Sequence, residues 1–194
     1  MSAAVIALAL CAGLSAGPVA PDELSIAQVT GPAGTVVRVP VRVRDLGGTI
    51  LNEGDGPDNE IQSFAFQIAF PATFVDASNF VHAGVTAGRT AFFSQVTPNA
   101  DNIVVLKSFN ETTNALVFTL NAPLPGDVIG ELEITIDPAA PNGTLIPLTL
   151  QTNNAALIDA SATESETVAN GNLLLRNGSI TVGFVELIFG NGFE

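Results

Sequence analysis

The chain has 194 residues, 47% of them hydrophobic and 13% charged. That length buries a core without disulfide or metal staples, and the apolar content excludes a disordered chain. Six Lys and Arg stand against 19 Asp and Glu, a formal net charge of -13, which repels phosphate backbones and argues against nucleic acid as a partner.

From the N-terminus, an apolar run from Ala3 to Leu14 leads into small residues and then Pro21-Asp22. This is a secretory signal-peptide pattern over residues 1–20, with the cut after Ala16 or Ala20, although no Lys or Arg precedes the run. The run is too short for a comfortable membrane span. Cys11, the only cysteine, falls inside it. The mature chain would then have no disulfide, zinc–thiolate site or cysteine nucleophile. The pattern predicts a secreted or cell-surface protein with one domain over 21–183 and a short tail over 184–194.

Strand signals dominate that domain. "TVVRVPVRVR" puts Val37, Val39, Val41 and Val43 on one face and Arg38, Pro40, Arg42 and Arg44 on the other, the period of a half-buried strand. Pro40 has no N–H for a ladder, so this strand is an edge or carries a break there. "IQSFAFQIAF" alternates in the same way, with Phe64, Phe66, Ile68 and Phe70 facing inward. "TFVDASNFVHAG" fits a helical turn or a strand. "NIVVLKSF", "ALVFTL", "GELEITID" and "TLIPLTL" are further β-rich runs. "LLLRNGSITV" reads as a hairpin across Asn177-Gly178. The polar run "DASATESETVANGN" reads as an exposed loop. The sequons at Asn110, Asn142 and Asn177 predict exposed turns. The pattern is that of an all-β sandwich.

The ordered set of strands resembles the cohesin domain family. "GPAGTVVRVPVRVRDL" is similar to that family's opening turn and Val-x-Val-Pro-Val strand, and "FAFQIAFPATFVDASNF" to its alternating Phe strand and the segment after it. "GDVIGELEITIDPAAPNGTLIPLTL" resembles the third signature, and "NGSITV" the closing strand. The likeness runs from about Leu24 to Val182. It implies a jelly-roll β-sandwich of about nine strands, related to some carbohydrate-binding modules. It also implies a non-catalytic module that binds dockerin domains in extracellular polysaccharide-degrading assemblies. The family's Tyr-Asp-Pro appears here as Ala69-Phe70-Pro71. Its partner-contacting positions map onto Ile61 and Ser63.

Other chemistry has less behind it. A serine triad would need His82, the only histidine, and no Gly-x-Ser-x-Gly elbow is present. Glu131 and Glu133 share one strand face about 7 Å apart, but a glycosidase pair also needs a cleft and one raised pKa. Sugar platforms are usually Trp or Tyr, and the chain has neither. Of Phe92 and Phe93, one must point outward. A carbohydrate-binding module, with a polysaccharide as ligand, is the alternative to a protein-binding one.

The stretch "NEGDGPDNE" spans Asn52 to Glu60. Asp55, Asp58, Asn59 and Glu60, with Asn52 and Glu53, could supply the oxygens calcium prefers. The order is not that of an EF-hand. An irregular calcium site, a charged insertion and a partner-facing loop are the three readings of it.

Overall fold

The computed structural model describes residues 20–51, 60–110 and 112–183. The leader and the tail expected at the two ends lie outside these residues, apart from Ala20. So does 52–59, which contains Asp55, Asp58 and Asn59.

The described chain is built from strands. They are β1 (Asp22–Ile26), β2 (Gln28–Gly31), β3 (Val36–Arg44), β4 (Ser63–Ala69), β5 (Val75–Val81), β6 (Phe93–Pro98) and β7 (Asn102–Ser108). There follow β8 (Asp127–Ile136), β9 (Leu145–Leu150), β10 (Ala156–Ile158), β11 (Ser165–Thr167), β12 (Leu173–Arg176) and β13 (Gly178–Val182). One sheet runs β12-β1-β3-β8-β5. The other runs β11-β10-β4-β9-β13-β2, with β7 along the free side of β4 and β6 outside β7. The two sheets face each other as a sandwich, as the alternation predicts.

The inward rows fill the space between the sheets. Val39, Val41, Val43, Leu132, Ile134 and Ile136 come from one sheet, and Phe64, Phe66, Ile68, Ile103, Val105 and Ile146 from the other; all are at most 1% exposed. Phe64, Phe66 and Phe80 form a ring cluster with centroids 5.6–6.1 Å apart. Each side chain of this size stabilises the fold by about 1.5–3 kcal/mol on full burial.

The thirteen strands exceed the nine expected because two strands change sheets midway. β1 pairs with β3 and β12, whereas β2 pairs with β13 in the other sheet. Ala27 is the crossing point, and its N–H bonds to the Pro40 carbonyl at 2.9 Å. β12 and β13 cross in the same manner at Asn177, whose Oδ1 accepts the Leu150 N–H at 2.9 Å. With each of these counted as one strand, and the short β10–β11 hairpin set aside, nine remain.

That crossing corrects the expected Asn177-Gly178 hairpin, since β12 and β13 do not pair with each other. The apolar run "ALVFTL" is not a strand either, although Leu116 and Phe118 are buried. The expected loop "DASATESETVANGN" contains β11, and it buries Asp159 and Glu166. "VDASNFV" is a strand, not a helical turn. β3 is an inner strand in which Pro40 stays opposite Glu131, and the expected break falls just beyond it, where the β3–β8 register shifts between Val41 and Arg42.

Candidate partner-binding face

Strand alternation decides what the second sheet shows to solvent. On β4 the inward row is Phe64, Phe66 and Ile68, which leaves Ala65, Gln67 and Ala69 on the outer face. On β7 the inward row is Ile103, Val105 and Lys107, so Val104 and Leu106 lie outward. β6 runs antiparallel alongside, with Gln95 opposite Leu106 and Thr97 opposite Val104. Small residues at the centre and longer ones at the rim give a hollow, and flanking segments deepen it. A 3₁₀ turn at Thr152–Asn154 walls one side, held by Asn154 Nδ2 donating to Gln67 Oε1. Thr167 to Ala169 close another.

The result is a concavity of about 760 Å³ on the outer face of β4, β6 and β7. Its lining contains no charged side chain, in a chain whose net charge is -13. Amides at Gln67, Gln95 and Asn154 supply donors and acceptors over an Ala, Val and Leu floor. Such a surface can be desolvated without stripping water from an ion, which suits the core of a protein–protein interface.

The positions taken from the family resemblance lie at the start of β4. Ile61 is 1% exposed and belongs to the core. Ser63 is buried too, and its hydroxyl donates to Ser108 Oγ at 2.8 Å across the β4–β7 pair. The outward residues next along, Ala65 and Gln67, line the hollow, and sequence reasoning did not single them out. The signal was the outward phase of β4 and β7, which carries no charge. Of the proposed calcium residues, Glu60 alone is described, and it is half-buried.

The enzyme candidates are engaged structurally. His82 places Nδ1 3.1 Å from the Arg89 carbonyl, where a triad would put a carboxylate, and its ring packs on Phe109 at 5.5 Å. Burial, followed by the charge of Lys107, lowers its pKa. Glu131 and Glu133 share Arg38, at 3.7 and 3.0 Å, on the outer face of the first sheet. Phe92, at 82% exposed, and Phe93, at 46%, are the exposed rings among the described residues. They do not extend into an aromatic strip.

Solved structures share this architecture. A cohesin ScaC in complex with the ScaB dockerin, from Acetivibrio cellulolyticus, aligns with a TM-score of 0.60 at 17% identity, covering 83% of this chain and 98% of that one. The fold is cohesin-like. A type I cohesin–dockerin complex from Clostridium thermocellum gives 0.58 at 17% identity, covering 84% and 99%. A non-cellulosomal cohesin from the archaeon Archaeoglobus fulgidus gives 0.57 at 13% identity, covering 90% and 100%. No family model and no curated protein matches the chain. Among the described residues of this cohesin-like domain, no helix is long and apolar enough to cross a membrane.

Proposed function

We propose that this cohesin-like domain is an exported, non-catalytic binding module, and that the uncharged hollow on β4, β6 and β7 takes a dockerin-type protein partner. One observation carries the reading. In a chain with 19 acidic residues, the lining of this concavity carries no charged side chain. Export is supported by the leader-like residues 1–20. The solved neighbours include cohesins bound to dockerins, and a polysaccharide-degrading assembly is the setting that the family resemblance implies. A sugar ligand has less support, because the hollow contains no exposed aromatic platform for a pyranose face.

Calorimetric titration of the chain with dockerin-bearing proteins tests this. Binding is expected, and Leu106→Asp, which puts a charge into the desolvated floor, is expected to weaken it by at least about tenfold. Binding to an insoluble glucan, with none to any dockerin, would replace this reading with the carbohydrate one.

A further inference from the structure

Two acidic side chains from opposite sheets meet at one end of the sandwich. Asp22 opens β1 and Glu166 sits in β11; both residues are 0% exposed. The segment after β3 holds one oxygen of each. Leu46 N–H donates to Asp22 Oδ1 at 2.7 Å, and Leu51 N–H to Glu166 Oε1 at 2.9 Å. The other two oxygens, Asp22 Oδ2 and Glu166 Oε2, are buried without a hydrogen-bond partner.

Thr49 adds to the surplus of acceptors. Its Oγ lies 2.8 Å from the Leu51 carbonyl, 3.1 Å from that of Leu46 and 3.4 Å from Asp22 Oδ1. A hydroxyl has one hydrogen to give; the Ile50 N–H adds a further donor toward Glu166, and the oxygens still outnumber the donors. Asp45, 1% exposed, adds further negative charge beside Asp22. Arg44 and Arg176, on the neighbouring strands β3 and β12, are engaged by Glu23. Buried carboxylates need a compensating positive charge.

We propose that Asp22, Glu166 and Thr49, with the carbonyls of Leu46 and Leu51, form a calcium-binding site that ties the 46–51 segment to both sheets. Calcium accepts six to eight oxygens in irregular arrangements, with carbonyls and hydroxyls among them. Among the described residues no three His, Cys, Asp or Glu side chains are arranged to hold a metal. The proposed donor set accordingly has two carboxylates, and neutral oxygens make up the rest. Without the ion, burial and then the Glu166 charge push the Asp22 carboxyl up to about 9, so a proton takes the cation's place.

The test is calcium titration of the chelator-stripped full chain, by calorimetry and by thermal melts. A variant with the nearby acidic stretch neutralised (Glu53→Gln, Asp55→Asn, Asp58→Asn, Glu60→Gln) runs in parallel. One ion is expected to bind both proteins, raising Tm by about 5–10 °C at a hundredfold excess over Kd. Asp22→Asn and Glu166→Gln are each expected to weaken binding at least about tenfold. Should one of them fail to fold, the other, together with the neutralised variant, still decides. No heat and no Tm shift with the unmodified chain would overturn the site and leave the shared proton as its occupant. A response lost on neutralising 53–60 yet kept in Asp22→Asn would assign the ion to that stretch and overturn it equally.

Discussion

Gln62 makes a paired contact with Leu116 that imitates a strand ladder. Its Nε2 donates to the Leu116 carbonyl at 3.0 Å, and its Oε1 accepts the Leu116 N–H at 2.8 Å. The backbone of Gln62 meanwhile follows the sheet, donating to Ile158 and accepting from Phe109. A fully buried side chain thus supplies the hydrogen bonds that "ALVFTL" would otherwise seek from a neighbouring strand. Gln62→Leu should cost about 2–4 kcal/mol, since it strands one buried donor and one buried acceptor. Urea unfolding checks this, with an unchanged m-value as the sign that the fold is retained.

The adjacent residues Asp22 and Glu23 predict opposite responses to pH. In the folded metal-free chain, burial and then the Glu166 charge push the Asp22 carboxyl from 3.8 up to about 9, and burial raises its partner Glu166 as well. The folded state therefore holds the extra proton across that interval, and stability falls as pH rises through it. In chelator, Tm of the wild-type chain should decline from pH 5 to pH 9 more steeply than that of Asp22→Asn. Parallel curves would remove Asp22 as the cause.

Glu23 is held below the usual carboxylate range, chiefly by the Arg176 guanidinium, which donates at 2.6 and 2.9 Å. Arg44 adds a contact at 3.5 Å. Its contribution is present at neutral pH and lost as pH falls through that range. Glu23→Gln should lower Tm at pH 7, and the gap to the wild type should close in acid. A constant gap would point to packing rather than charge.

Gly84 begins a 3₁₀ turn after β5 with φ +59, and a Cβ there would run into the Val128 carbonyl. Thr86 in the same turn donates to the Ile129 carbonyl at 2.9 Å, so the turn is pinned against β8. Gly84→Ala should destabilise by more than about 2 kcal/mol through strain and clash together. Chemical denaturation reads this directly, and a neutral result would mean that the turn can lift from β8.

Much of the sandwich is legible in the sequence because alternation survives wherever one face of a strand is buried. Val39, Val41 and Val43, like Phe64, Phe66 and Ile68, need no tertiary knowledge to be placed inward. Asn177-Gly178 misleads because a turn dipeptide can serve a crossing between sheets as well as a hairpin, and Asn177 Oδ1 is committed to Leu150 N–H. Glu166 is hidden for a different reason. Among Ser, Thr and Asn it looks solvated, and only the approach of Leu51 N–H shows that it is buried. The hollow is the hardest feature to foresee. Ala65, Gln67, Val104 and Leu106 are unremarkable one by one, and their meaning comes from lying side by side across β4 and β7.

The paired sheet changes at Ala27 and Asn177 have a mechanical consequence. β1 runs parallel to β12, and β2 parallel to β13. A force pulling Pro21 and Val182 apart along the strands would therefore act in shear, loading a whole ladder of hydrogen bonds at once instead of peeling them one at a time. Such a domain is built to bear tension through its own backbone, along the ladders that join its first and last strands.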